Sequence, residues 1–350
     1  MKQKKILVTG GAGFIGSHTS LLLLEAGYKV IAIDSFINSS IKSINKIREF
    51  NSKNNIEGSF IFKEGDLRDE NFLDEIFRKE KELGTPISSV IHFAGLKSVF
   101  DSIINPILYW EINLGGTISL LKIMKKYYCK SIVFSSSATI YDSLKNEKLN
   151  EQCKLKPINP YGMTKLTVER VLNNLFDSNS EEWRIATLRY FNPVGAHPSG
   201  ILGEYPGDKP NNIFPIINKV ANEEIKYFTI FGNDWDTRDG TCIRDYVHVL
   251  DLAKGHLLAL DYLFKEKPQL LELNIGTGIG KSVLEVIETF ESVNNVKIRY
   301  KFGNRRTGDV ESSIAENLKA KTILNWQPKF TLEDMCRDAW NWQQMLQNDL

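Results

Sequence analysis

The segment Thr9-Gly10-Gly11-Ala12-Gly13-Phe14-Ile15-Gly16 sets four glycines in eight positions, directly after the apolar run Ile6-Leu7-Val8. Without a Cβ, glycine permits a tight turn, lets backbone come close to a bound group, and lets a helix pack hard on a sheet. The spacing satisfies G-x-x-G-x-x-G through Gly10, Gly13 and Gly16, and G-x-G-x-x-G through Gly11, Gly13 and Gly16. A strand that enters such a turn and leaves it as a helix makes a phosphate cradle. The helix N-terminus offers free N–H groups and a partial positive charge. A second strand ends at Asp34, 18 residues after Gly16. A carboxylate there accepts bonds from both adenosine ribose hydroxyls and repels a 2′-phosphate, which favours NAD over NADP.

The rest of the first half keeps the same rhythm. Short runs rich in Ile, Val and Phe lie at 5–9, 29–34, 59–63, 89–92 and 131–135, and helix-period stretches lie between them at 14–26, 41–50, 71–83 and 112–126. Strand, helix, strand in this order means right-handed βαβ units and a parallel sheet covered on both faces. A helix at 161–175 and a strand at 184–189 follow, and after Arg189 the pattern gives way to a proline- and glycine-rich stretch over 192–212. The expected class is α/β: a Rossmann-type doubly wound parallel sheet over 1–191 with a smaller mixed α/β C-terminal substrate domain over 192–350. Part of the latter, about 232–262, is expected to pack back on the first domain. In such sheets ligands sit beyond the strand carboxyl ends. Asp66 and Phe93-Ala94-Gly95, after the third and fourth strands, stand where adenine and ribose would be lined.

Composition narrows the partners. The 350 residues carry 44 basic and 43 acidic side chains, a formal charge of +1, which draws neither nucleic acid nor a membrane surface. Cys129, Cys153, Cys242 and Cys336 are scattered, with no C-x-x-C pair and no metal-like spacing to histidine. Reduced thiols in a cytoplasmic protein with no metal are the expectation. The opening apolar run is too short for a signal-peptide core.

The fifth strand ends in Ser135-Ser136-Ser137-Ala138-Thr139, and Pro160-Tyr161-Gly162-Met163-Thr164-Lys165 follows. Tyrosine and lysine four apart on a helix share a face. A free phenol, with a pKa of about 10, is a poor base at neutral pH. A nearby ammonium and a positive nicotinamide ring favour the phenolate. Tyr161 is therefore the expected acid/base, Lys165 the group that tunes it and bonds the nicotinamide ribose, and Ser137 a hydroxyl on the reacting oxygen. Together they suit removal of an alcohol proton as hydride leaves for NAD.

These motifs, with VIHFAGLKSV over 90–99, LRYFNPVGAHPSG over 188–200, NNIFP over 211–215, the long block 231–249, LNIGTG over 273–278 and RRTGDV over 305–310, give the chain a resemblance to a known family. It resembles the extended short-chain dehydrogenase/reductases and, among them, the UDP-glucose 4-epimerases. The resemblance implies an NAD reduced and reoxidised within one turnover, Tyr161 working at the sugar 4-hydroxyl, and a UDP end held firmly while the sugar turns over. It extends the cofactor set to Phe14, Ile15, Asn38, Ser39, Leu67, Lys97, Asn113, Ser135 and Tyr190. For the UDP-sugar it implies Arg244 and Arg306 on the diphosphate, Asn192 and Asn212 on phosphate or sugar, Phe231 against uracil, Asp309 on the ribose, and Ile213, Thr229 and Val283 among the residues that line the substrate. In the family, the position four residues after the Asp of R-x-G-D lines the sugar pocket, and a bulky tyrosine there restricts the substrate. Here that position is Ser313, which implies room for a 2-acetamido group. The family also implies a homodimer through helices near 103–126 and 161–175.

Three rivals share parts of this pattern. A nucleotide-sugar 4,6-dehydratase needs an added acid/base pair after the catalytic serine, where this chain has Ala138 and Thr139. An NAD-dependent sugar-nucleotide reductase would exchange its cofactor at each turnover. A non-catalytic NAD-binding module would need neither Tyr161 nor Lys165.

Overall fold

The computed structural model describes residues 4–55, 59–142, 148–205, 212–306 and 308–348. Asn211 of NNIFP, Thr307 of RRTGDV and 206–210 of the proline-rich stretch lie outside the described residues. The elements begin β1 (Lys5–Thr9), α1 (Phe14–Glu25), β2 (Lys29–Asp34), α2 (Ile41–Lys53), β3 (Phe60–Glu64), α3 (Glu70–Glu82) and β4 (Ile87–His92). Next come α4 (Val99–Ile104), α5 (Pro106–Tyr109), a π-helical turn (Trp110–Gly115), α6 (Gly116–Lys126), β5 (Ser131–Ser137), α7 (Pro160–Ser178) and β6 (Arg184–Tyr190). Then follow β7 (Asn192–Val194), α8 (Ile213–Ala221), β8 (Phe228–Phe231), β9 (Ile243–His248), α9 (Val249–Lys265) and β10 (Gln269–Ile275). The last are β11 (Gly280–Ser282), α10 (Val283–Asn294), β12 (Tyr300–Gly303), β13 (Ser312–Ser313), α11 (Leu318–Leu324) and α12 (Leu332–Asn348).

Two compact units form. The first holds 1–140, 155–189 and 253–273; the second holds 141–154, 190–252 and 274–350. This departs from a single cut before Asn192. The returning segment is 253–273 rather than 232–262, because β10 pairs with β6 and most of α9 comes with it. In the other direction, 141–154 groups with the second unit, where Leu149 bridges Ala315.

The first unit is built on a seven-stranded sheet in the order β10-β6-β5-β4-β1-β2-β3. The registers β3-β2-β1-β4-β5 are parallel. Order reverses at β1 and β4, which is where a doubly wound sheet opens its ligand crevice. The central strands are apolar on both faces: Leu7, Ile31, Val90 and Ile132 join a core with Leu120 and Leu172 of the covering helices on one, and Ile6, Val8, Ile91 and Val133 are buried on the other. Strand β3, at an edge, is half exposed. Helix starts are fixed by side chains. Asn159 accepts from Gly162 N at 2.8 Å with Pro160 at the first helical position, and Asp69 accepts from Asn71 N and Phe72 N. Helix α1 differs: its N-cap is Gly13, with no side-chain acceptor.

The helix expected over 112–126 is corrected to α6, which starts at Gly116 after the π turn. The second unit centres on β9, flanked by β11 and β13 and also paired with β7, while β8 and β12 form a two-stranded sheet. Phe214, Ile217, Tyr246, Val286 and Phe290 fill its core. Among the described residues no helix is long and apolar enough to cross a membrane.

Candidate active site

In the first unit the glycine turn is closed by backbone alone: Gly13 N donates to Gly10 O at 3.1 Å and Ser17 N to Gly13 O at 2.9 Å. Gly10 has φ +68, and a Cβ there would lie 2.7 Å from Ala94 N; one on Gly16 would lie 2.1 Å from Gly10 O. A methyl on either would collide with the protein's own backbone and force the turn open. Phe14 and Ile15 start α1, so the backbone N–H groups at this end meet no capping side chain. Asp34 is buried and works for the loop: Oδ2 accepts from Ala12 N at 3.0 Å, and Oδ1 from Phe36 N at 3.0 Å and Ser39 Oγ at 2.7 Å. These bonds hold Phe36 at φ +56, a left-handed conformation that a bulky residue adopts only when its surroundings enforce it. Asn38 Nδ2 reaches Gly95 O at 3.4 Å.

The walls of the crevice are equally ordered. Asp66 is paired with Arg68 at 2.8 Å, and Arg68 with Glu111 of the π turn at 2.6 Å; the bonds from Arg68 hold the Asp66 carboxyl below its usual range. Leu67 packs into the core beside Gly116. Phe93 packs on His256, and Ala94 N donates to Thr9 Oγ1 at 3.2 Å. His92, beneath them, is neutral because burial, then the Lys165 charge, push its imidazole down to about 3. Thr117 donates its hydroxyl to Asn113 O, so His92 Nε2 carries the proton toward Thr117 and Nδ1 accepts from Thr9. Asn113 braces the site: Oδ1 accepts from Leu96 N at 2.7 Å, and Nδ2 donates to Leu96 O and Thr164 Oγ1 at 3.1 Å each. The π turn brings Asn113 between the loop after β4 and α7. Lys97 lies exposed on that loop, and Tyr190 ends β6.

Tyr161 and Lys165 are both buried on α7. Lys165 Nζ donates to Ser135 O at 2.9 Å and lies 4.9 Å above the Phe134 ring and 5.9 Å from the Tyr161 ring centre. Burial pushes its ammonium down to about 8, with Glu169 pulling the other way. Ser135 Oγ is buried and has no protein partner. Ser137 Oγ accepts from Thr139 N at 3.2 Å and Thr139 Oγ1 at 3.0 Å, so its own proton is available to another acceptor. Sequence reasoning passed over Glu169, Ser136 and Arg189. Glu169 sits four residues beyond Lys165 on the same helix, buried with Arg189 at 2.7 Å. That spacing was the signal available.

In the second unit some of the expected substrate residues meet in pairs. Arg244 pairs with Asp309 at 3.2 Å and also donates to Ile243 O. The Arg306 guanidinium stacks 3.9 Å over the Phe231 ring. Burial pushes the Cys242 thiol up, with the Arg244 charge pulling the other way. Ser313 is the register partner of Arg244 across β13 and β9. Thr229 lies on β8 opposite Lys301 of β12. Asn192 is on β7 opposite Tyr246 of β9, while Asn212, at the start of α8, donates to Glu204 at 2.8 Å. Ile213 and Val283 pack with the core. Asp245 was also missed: buried, it accepts from Thr277, Gly278 and Ala315 and ties β9 to two loops.

A family profile described as GDP-mannose 4,6 dehydratase matches residues 7–339. UDP-glucose 4-epimerase 2 of Arabidopsis thaliana is 46% identical over 339 residues, covering 97% of this chain and 95% of its own. The chain belongs to the UDP-glucose 4-epimerase family. Epimerases of this family are also its structural neighbours. The UDP-glucose 4-epimerase of Bifidobacterium longum, solved with NAD+ and UDP, superposes with a TM-score of 0.92 at 42% identity, covering 99% of this chain and 100% of that one. The Stenotrophomonas maltophila UDP-glucose 4-epimerase, solved with NAD and a formylated UDP-arabinopyranose, gives 0.93 at 39% identity with the same coverage.

Proposed function

We propose that this protein interconverts UDP-glucose and UDP-galactose through a transient 4-keto sugar, with NAD as a resident cofactor, and that it also accepts the 2-acetamido pair. The observation that carries the chemistry is the buried Tyr161–Lys165 pair on one face of α7, with Lys165 Nζ fixed on Ser135 O. The cradle fits a dinucleotide, since Gly10 and Gly16 let the turn close tightly on backbone alone and α1 lacks a capping side chain whose place a phosphate would take. Bound NAD supplies the hydride acceptor and, later in the turnover, the donor at C4. Tyr161 takes the proton of the sugar 4-hydroxyl and returns it; Lys165 steadies the phenolate; Ser137 donates its hydroxyl to the reacting oxygen. Arg244 and Arg306 take the diphosphate by charge and fork geometry. Phe231 takes uracil and Asp309 the ribose. Ser313, the register partner of Arg244, is the small side chain on which acceptance of the acetamido group rests. Dehydration is disfavoured because Ala138 and Thr139 offer no acid/base pair where one is needed.

The test is a coupled assay on purified protein with UDP-galactose and UDP-GalNAc and no added NAD. Turnover of both is expected. Activity that requires external NAD, with NADH accumulating, would favour a reductase; no reaction of UDP-GalNAc would remove the Ser313 argument. Tyr161→Phe should lose at least about 100-fold in kcat with UDP-sugar binding kept. The proposal includes a cytoplasmic homodimer. The four cysteines are free thiols, and apolar Phe100, Ile103, Ile104 and Ile107 stand exposed on α4 and α5.

A further inference from the structure

Helix α7 carries Tyr161, Lys165 and Glu169 at intervals of four, one above another on a single face. Glu169 is 1% exposed. A carboxylate so far from water is unfavourable unless paired and hydrogen-bonded. Its partners come from the neighbouring strands. Ser136 Oγ of β5 donates at 2.5 Å, and Arg189 of β6 donates through Nε at 3.1 Å and Nη2 at 2.7 Å. Arg189 is in turn held by Glu272 of β10 at 3.0 Å.

The order of serines along β5 gives this network its meaning. Ser135 offers its carbonyl to Lys165, Ser136 its hydroxyl to Glu169, and Ser137 is the hydroxyl assigned to the reacting oxygen. Successive strand residues point to opposite faces. The bond to Glu169 fixes the Ser136 side chain on the face of β5 that α7 covers. The charged and titratable groups around Lys165 come from every side: neutral His92 from β4, Tyr161 and Glu169 from α7, then Arg189 of β6 and Glu272 of β10 beyond them. Among the described residues, Glu169 is the carboxylate whose charge acts on the ammonium.

We propose that Glu169 is a positioning residue for the epimerase reaction: through Ser136 and Arg189 it locks α7 against β5 and β6, and it sets its carboxylate one turn beyond Lys165 on the helix face shared with Tyr161. This rests on the epimerase reading above. Glu169→Gln keeps the shape and removes the charge. In the purified holoenzyme it should lower kcat roughly 10- to 100-fold with KM for UDP-galactose little changed. The alkaline limb of the kcat profile should move about one unit to lower pH, since an ammonium without its counter-charge gives up its proton sooner.

A purely structural role predicts something else: loss of stability, and recovery when the pair is removed together. Glu169→Gln with Arg189→Met should regain thermal stability yet keep the displaced limb. Where these variants fail to fold, Ser136→Ala, which leaves the ion pair intact, should lower kcat and leave KM unchanged. Titration of the Lys165 13Cε resonance, identified with Lys165→Met, follows the ammonium without turnover. A wild-type chain inert on UDP-sugars would defeat the epimerase reading, while this titration still judges the hold of Glu169 on Lys165. Wild-type kcat and Lys165 titration in all three variants would overturn the proposal.

Discussion

Lys165 carries its charge in a place that disfavours it. Burial brings an ammonium of ordinary value 10.5 down to about 8, with Glu169 opposing the shift. In the proposed reaction the charged form is the one that steadies a Tyr161 phenolate, so turnover should fall as pH rises through about 8. Stability moves the other way. Between about 8 and 10.5 the unfolded chain holds this proton and the folded chain does not, so the contribution of Lys165 to stability rises with pH across that window. Melting temperatures from pH 8 to 10 should rise more steeply, or fall less, in the wild type than in Lys165→Met. Parallel curves would sink the assignment. Arg189 is a second residue of this kind. Glu169→Leu removes the buried carboxylate paired with its guanidinium, and should cost about 3–5 kcal/mol of stability, read from urea unfolding.

Among the elements, the turn from β1 to α1 has least room for change. Gly10→Ala would combine φ +68 with a methyl 2.7 Å from Ala94 N. The conformation alone costs about 1–2 kcal/mol. The purified variant should contain little NAD, measured in the supernatant after denaturation; full occupancy would refute the close-approach argument. This turn was legible in the sequence because glycine spacing and the strand before it are local. So were β1, β2 and the face shared by Tyr161 and Lys165. The π turn was not, since Ile112 to Lys126 keeps one apolar rhythm and an extra residue in a turn leaves no local mark. What it achieves, Asn113 bonded to both Leu96 and Thr164, depends on residues 17 and 51 positions away. Likewise Arg244 and Ser313 stood out singly, but their adjacency exists only through the register of β9 with β13.

At the scale of the whole chain, the exposed apolar surface of α4 and α5 is where the proposed homodimer is to be tested. Ile107 is 80% exposed and Phe100 67%. A stable homodimer needs about 800 Å² from each copy, and α4 and α5 pack beside α7. Light scattering should give twice the 39.9 kDa chain mass, and Ile104→Arg with Ile107→Arg should give the single mass with the fold retained. A dimer that survives both charges places the interface elsewhere. The sheet beneath these helices has a further consequence, one of time. Its edge strand β10 begins at Gln269, while its neighbour β6 ends at Tyr190. At about 5–20 residues per second on the ribosome, the ~80 residues between them take roughly 4–16 s to appear. For that interval a nascent chain carries β6 with one side open, so the window in which a chaperone can matter most is written into the order of the strands.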